Sequence, residues 1–310
     1  MAQAWLLRVI AAALTIAGAA CASTAPPEKV ERIVAFGDSY VDDGNIFRLF
    51  GVAPPRLYPQ GRFSDGTNFV DTMAEMLRVP VANFALGGAV TGPGKNNRPA
   101  GFDTETKAFL AGGGPPVFPR TSGRFGPRDL VVVSIGGNDA RAFEKSFGAA
   151  PGEARIAEAV AAAPAAADKS IANATRGLDA LAAAGARNIL FLGGDVGRLP
   201  EVKGRAIARI GSAYSAHYNA GMRAALARLS RRGVAAHYLD LDVLGDRIEA
   251  DPRAFGLISA GACPEACLSM PALRARYLFH ADKLHLSAAG HAIVGRYAVA
   301  EWAEHRTKRH

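Results

Sequence analysis

Asp129-Leu130-Val131-Val132-Val133-Ser134-Ile135-Gly136-Gly137-Asn138-Asp139 is the stretch on which the fold turns. Its apolar run is short, rich in β-branched residues and bounded by aspartate and glycine, which marks a buried strand ending in a polar turn. Working outward, Arg32 to Phe36 reads as a similar strand ending at Gly37, and Val79 to Phe84 as its successor. Asn188 to Leu192 and Val234 to Leu239 supply two more downstream. Helical patterns separate them. Asp65 to Leu77 places Phe69, Met73, Met76 and Leu77 at helical spacing, and Glu153 to Ala184 is alanine-rich, with Pro164 expected to break it into two pieces. Ile207, Ile210, Tyr214, Tyr218, Ala225 and Leu229 recur along a further amphipathic helix. A closing helix runs from its cap Ser287 to about His305, and Gly87 to Pro127, rich in Gly, Pro and Asn, reads as a long irregular insertion.

Strands alternating with crossovers long enough to hold helices predict an α/β fold. The expected architecture is a three-layer α/β/α sandwich around a central five-stranded parallel sheet, flavodoxin-like in order 2-1-3-4-5. Ligands bind such sheets beyond the carboxyl ends of the strands, near the switch point.

The 310 residues, 49% hydrophobic and 21% charged, are ordinary for a globular chain and sufficient for one large domain, read here as 31–310. Ahead of it, Arg8 precedes an apolar run from Val9 to Ala20 and then small residues, the pattern of a signal peptide over 1–22. That run is too short to span a bilayer, and 23–30 reads as a linker. The expected location is therefore secreted or periplasmic. Cys21 after Gly18-Ala19-Ala20 leaves open a lipoprotein anchored at Cys21. In either case Cys263 and Cys267 remain as a pair, and in an oxidising compartment they are expected to form a disulfide. The net charge of +8 is scattered, with a small cluster at Arg306, Lys308 and Arg309, and accompanies no nucleic-acid motif. It leaves room for transient contact with an anionic membrane surface or lipid.

Three strand ends finish in small or polar clusters, Gly37-Asp38-Ser39, Gly87-Gly88 and Gly136-Gly137-Asn138-Asp139, which a parallel sheet brings to one rim. Ser39 in a tight strand-to-helix turn would expose its hydroxyl, and a nucleophilic serine needs a base. Asp282-Lys283-Leu284-His285 offers one: Asp282 can accept a hydrogen bond from His285 Nδ1–H and hold the tautomer that leaves Nε2 free to accept from Ser39. Donors for a developing oxyanion are the backbone amides of Ser39 and Gly88 and the side-chain amide of Asn138. Gly87 is a one-residue alternative to Gly88.

These residues resemble the GDSL (SGNH) hydrolase family, over nearly the whole stretch from Ile33 to His291. Four blocks occur in family order: Phe36-Gly37-Asp38-Ser39-Tyr40-Val41-Asp42-Asp43-Gly44-Asn45, Asn83-Phe84-Ala85-Leu86-Gly87-Gly88-Ala89, Ser134-Ile135-Gly136-Gly137-Asn138-Asp139, and Asp282-Lys283-Leu284-His285 followed by Ala288-Ala289-Gly290-His291. With Gly61-Arg62-Phe63-Ser64-Asp65-Gly66, the first block is similar to the branch of secreted bacterial esterases and lysophospholipases. The resemblance implies an esterase or lipase with triad Ser39, Asp282 and His285 and oxyanion donors Ser39, Gly88 and Asn138. It implies no cofactor and no metal, and a small-molecule or lipid ester as substrate. Tyr40 stands where the family name has leucine, Leu286-Ser287 where the family often has Pro-Thr, and an extra residue before Asp282 brings His280 near the site.

Plainer roles fit the other polar residues. Asp38 and Asp42 are expected to bond the turn and cap the next helix, and Asp42 with Asp43 lacks a calcium-loop pattern. His291, His217 and His237 read as packed or structural, and Asp195 as the end of the fourth strand rather than part of the cleft. Two other functions share this sequence pattern: an acyltransferase using the same triad, and a non-catalytic glycan-binding module, which would be expected to have lost one of these residues.

Overall fold

The computed structural model describes residues 29–51, 58, 61–94 and 100–308. The expected leader over 1–22, Cys21 and most of the linker lie outside them. From the N-terminus the elements are β1 (Arg32–Gly37), α1 (Asn45–Phe50), α2 (Phe69–Leu77), β2 (Val81–Asn83), α3 (Phe102–Leu110), β3 (Asp129–Ser134), α4 (Gly137–Lys145) and α5 (Glu153–Ala183). They continue with β4 (Asn188–Gly193), α6 (Ala208–Arg231), β5 (Ala235–Asp240), α7 (Leu241–Ala250), β6 (Ser259–Ala262), α8 (Pro271–Arg274), β7 (Tyr277–Phe279) and α9 (Ala288–Thr307).

Five strands form one sheet in the order β2-β1-β3-β4-β5, as predicted, and all its pairings are parallel. Side chains alternate across a strand, so each apolar run feeds two cores. Val34, Phe36, Val131, Val133, Ile189 and Phe191 face α3, α5 and α6. Ile33, Ala35, Leu130, Val132, Leu190 and Leu192 face α2, α7 and α9. Under α3 the rings of Phe36, Phe84 and Phe109 lie 5.5–5.7 Å apart. Burying each such side chain stabilises by about 1.5–3 kcal/mol.

Three expectations need correction. Gly87 to Pro127 is not wholly irregular: α3 buries Phe102, Glu105, Thr106 and Phe109 inside it, a pattern masked by the surrounding glycines and prolines. Pro164 does not divide the alanine-rich helix; α5 runs unbroken through it. Pro164 is exposed, so the carbonyl it leaves unbonded can face water, while Ala163, Ala167 and Ser170 hold the helix to the core. The helix predicted from Asp65 begins at Phe69, because Asn68 caps it with a reciprocal Asn68–Asp71 capping box. The loop after Asp251 contains β6, which pairs in parallel with β7 as a separate two-stranded sheet.

Candidate active site

Parallel strands put the ends of β1, β2 and β3 on one rim, with Gly37 paired to Ser134. Gly37 has φ +139°, and a Cβ there would lie 2.1 Å from the Ser134 carbonyl oxygen, so the chain can leave β1 this close to β3 only as glycine. Beyond it the turn is closed by bonds from the Val41 and Asp42 amides to the Asp38 carbonyl, both 2.9 Å. Asp38 accepts from the Tyr40 amide at 3.1 Å, and burial pushes its carboxyl up to about 7. Asp42 accepts from the amides of Gly44, Asn45 and Ile46 at the start of α1 and also from Gly87 at 2.6 Å. It thus caps the helix, as expected, and in addition staples the nucleophile turn to the glycine segment. Burial pushes its carboxyl up to about 6 against those four bonds. Asp43 pairs with Arg48.

The Asp282–His285 loop is built by one carboxylate. Asp282 Oδ1 accepts from the amides of Leu284 at 3.1 Å and His285 at 3.0 Å, folding the loop back on itself, while Oδ2 lies 2.6 Å from His285 Nδ1. With the Nδ1 proton held there, Nε2 is left to accept from Ser39 Oγ at 2.8 Å. Burial would raise the Asp282 carboxyl, but the hydrogen bond and charge of His285 hold it well below the usual carboxylate range. Phe63 brings the Gly61–Gly66 block against His285, its ring 5.2 Å from the imidazole. His285 is itself buried.

The expected donors are held by different bonds. The Gly87 amide is committed to Asp42, whereas the Gly88 amide has no acceptor among the described residues; this separates the two glycines. Gly88 holds φ +81°, a left-handed turn that favours glycine. Asn138, in the first turn of α4, donates from Nδ2 to the Ala89 carbonyl at 3.0 Å, which orients the amide and leaves its second hydrogen free. Next to it Asp139 accepts from the amide and hydroxyl of Thr91 and from Ser170, which ties α4 to the glycine segment and to α5.

Two supporting residues were not apparent from sequence. Tyr58 donates its hydroxyl to Asp282 Oδ2, with its oxygen 3.2 Å from His285 Nδ1. Glu105 of α3 is fully buried, accepting from the Gly37 amide at 2.7 Å and the Leu86 amide at 3.1 Å. One carboxyl therefore ties the residue before the nucleophile turn to the residue before the donor glycines. Burial raises its pKa well above the ordinary value.

His280 is near the site, as expected: its ring is 4.8 Å from that of Tyr58, and it is buried and shifted toward neutrality by burial. His291 packs against Phe69 and Tyr40, and burial lowers its pKa to about 3. His217 pairs with Asp168 at the surface and His237 lies beside Glu301. Asp195 departs from expectation. It caps a short turn through the Gly197 amide, accepts from Ser212, and lines a cavity that reaches Ser39. The strand ends two residues earlier, at Gly193, so Asp195 stands beyond the sheet on its open rim. Cys263 and Cys267 are both buried, with Cα atoms 6.2 Å apart, inside the range a disulfide spans.

The fold and site thus combine a parallel α/β/α sandwich with a serine, an imidazole and a carboxylate in hydrogen-bonded series. The profile of the family described as GDSL-like Lipase/Acylhydrolase matches residues 33–298, and the chain belongs to that family of carboxylic ester hydrolases. Among solved structures, phospholipase A1 from Streptomyces albidoflavus NA297 is similar with a TM-score of 0.50 at 20% identity, over 88% of this chain and 98% of that one, a likeness of fold. An acetylxylan esterase from Geobacillus stearothermophilus aligns with a TM-score of 0.46 at 15% identity, over 89% and 96% of the two chains. The thermolabile hemolysin of Vibrio parahaemolyticus is 35% identical over 65 residues, which is 20% of this chain and 16% of the hemolysin.

Proposed function

We propose that the protein hydrolyses carboxylic esters through an acyl-enzyme, with Ser39 as nucleophile, His285 as general base and then acid, and Asp282 as the group that orients and charge-stabilises the imidazole. The observation that carries this reading is the unbroken series from Ser39 Oγ to His285 Nε2 at 2.8 Å and from Nδ1 to Asp282 at 2.6 Å. Nε2 takes the Ser39 proton as Oγ bonds the ester carbon. The carbonyl electron pair moves onto oxygen, which the amides of Ser39 and Gly88 and the Asn138 side chain receive. Collapse expels the alkoxide, protonated from Nε2, and leaves Ser39 acylated. Water, deprotonated by the same Nε2, then releases the acid and restores the serine. No cofactor enters these steps.

The same reading places the protein outside the cytoplasm after removal of residues 1–22, with Cys263 and Cys267 joined as a disulfide in that oxidising setting. The substrate is a small-molecule or lipid ester. The test is turnover of p-nitrophenyl acetate together with mass spectrometry after treatment with an organophosphonate ester. Turnover lost in Ser39→Ala, and a phosphonyl adduct on Ser39 alone, is the expected result. A folded protein that neither turns over the ester nor takes up the label would overturn the reading.

A further inference from the structure

The cavity reaching Ser39 has a volume of about 190 Å³ and does not end at the nucleophile. It runs from Ser39 and Asn138 past the ends of β3 and β4 into the layer between the sheet and the α7 and α9 helices. Its deep wall is apolar: Leu192, Leu244, Ile248, Leu278, Leu286 and Val294 line it and are themselves buried. The carboxyls of its lining are hydrogen-bonded within the protein, Asp38 to the Tyr40 amide, Asp195 to the Gly197 amide and Ser212, and Asp242 to the Asp195 amide. Arg198 is paired with Asp246 at 2.6 Å and Glu249 at 3.5 Å, and Arg141 with Glu201 at 2.7 Å. The paired charges and apolar wall suit an uncharged hydrocarbon.

We propose that this cavity is the acyl-chain site and selects medium-length, unbranched acyl groups of on the order of six to eight carbons. The inference rests on the ester-hydrolase reading of Ser39. Its direction follows from the position of the base. The leaving oxygen must meet His285 Nε2, and His285 is not among the residues lining the cavity, whereas Ser39 and Asn138 are. With the carbonyl carbon on Ser39 and the oxyanion toward Asn138, the substituent that points away from His285 is the acyl chain. The length follows from the volume: an apolar protein cavity of about 150 Å³ admits benzene, so about 190 Å³ admits a slightly longer hydrocarbon. The walls come from α4, α6, α7, β7, α9 and the ends of β3 and β4, not from the Gly87–Pro127 segment.

The experiment measures kcat/KM for p-nitrophenyl acetate, butyrate, hexanoate, octanoate, laurate and palmitate, and for hexyl acetate, with the parent and Gly245→Leu. Gly245 lies on the α7 wall, and a Cβ there would meet only the Arg198 guanidinium, at 3.7 Å, so a side chain at this position leaves the helix clear of backbone. Replacing glycine also favours the helix, and thermal melting checks that the variant is folded. The parent is expected to gain about fourfold per added methylene up to hexanoate or octanoate and to fall beyond it. Gly245→Leu is expected to lower the octanoate-to-acetate ratio at least tenfold. A profile flat or falling from acetate, a rise continuing through palmitate, a preference set by the alcohol of hexyl acetate, or a folded Gly245→Leu with the parent profile would each overturn the acyl site. Those results leave the hydrolase reading standing; absence of turnover on every ester removes both.

Discussion

Replacing Glu105 with Gln removes one acceptor from a site built for two. The carboxyl receives the Gly37 amide at 2.7 Å and the Leu86 amide at 3.1 Å, whereas glutamine presents one oxygen and one NH2 group. Leu86 keeps a second acceptor, the Gly37 carbonyl at 2.9 Å, so the amide oxygen is expected to turn to Gly37 and the NH2 group to face Leu86. A buried donor without an acceptor costs about 1–3 kcal/mol, and that is the expected loss of stability. Because the two amides precede Ser39 and Gly88, their separation misplaces nucleophile against donor, and kcat/KM should fall by about tenfold to a hundredfold. The pH dependence has a definite sign. The folded-state pKa of Glu105 lies well above its ordinary 4.5, so its contribution is complete below that value and is lost as pH rises through the raised one. Glutamine has no such dependence. Asp38 and Asp42, raised to about 7 and about 6, add slopes of the same sign to both proteins, and because their charges help to raise Glu105 that coupling belongs to the difference. Urea unfolding of parent and variant should therefore show the largest gap near pH 5 and a smaller one near pH 9. A variant as stable as the parent near pH 5, or a gap that widens toward alkaline pH, would refute the reasoning.

Asn138→Ala should lower kcat by roughly 100- to 1000-fold with little change in KM, the cost of one oxyanion donor, measured by steady-state hydrolysis. Tyr58→Phe strips one donor from Asp282 Oδ2 and loosens the carboxylate that orients His285, so kcat/KM should fall by roughly threefold to tenfold in steady-state hydrolysis. An unchanged kcat/KM would assign Tyr58 to packing alone. Pro164→Ala restores a main-chain donor in the middle of α5 at an exposed position and should stabilise the protein by roughly 1–3 kcal/mol, read as a higher unfolding midpoint.

The five strands were legible because each is a short apolar run closed by glycine or a polar residue, a pattern that needs no knowledge of the partner strand. Asp282 and His285 were legible for a related reason: their contact is local, three residues apart, and the carboxylate that folds the loop also meets the ring. Tyr58 and Glu105 were not, because their partners lie far away in the chain. The bond from Tyr58 to Asp282 crosses 224 residues and that from Glu105 to Gly37 crosses 68, and neither residue sits in a pattern that announces its partner. The start of α2 was misread for a chemical reason, since Asp65 bonds the Ala288 amide at the head of α9 instead of capping its own helix. The wall of the cavity was hidden too. Leu244, Ile248 and Val294 have the spacing of ordinary core residues, and only the tertiary gap between α7, α9 and the sheet separates a lining position from a filled one.

Ser39 and His285 are 246 residues apart in the chain, and they meet only where the loop before α9 folds back over the turn after β1. Contacts of such separation close late, because much of the chain must be ordered before they bring any return. The serine hydroxyl therefore keeps an ordinary environment until that loop docks. Labelling of Ser39 during refolding is expected to time the docking of the loop, with sheet formation, followed by circular dichroism, preceding it.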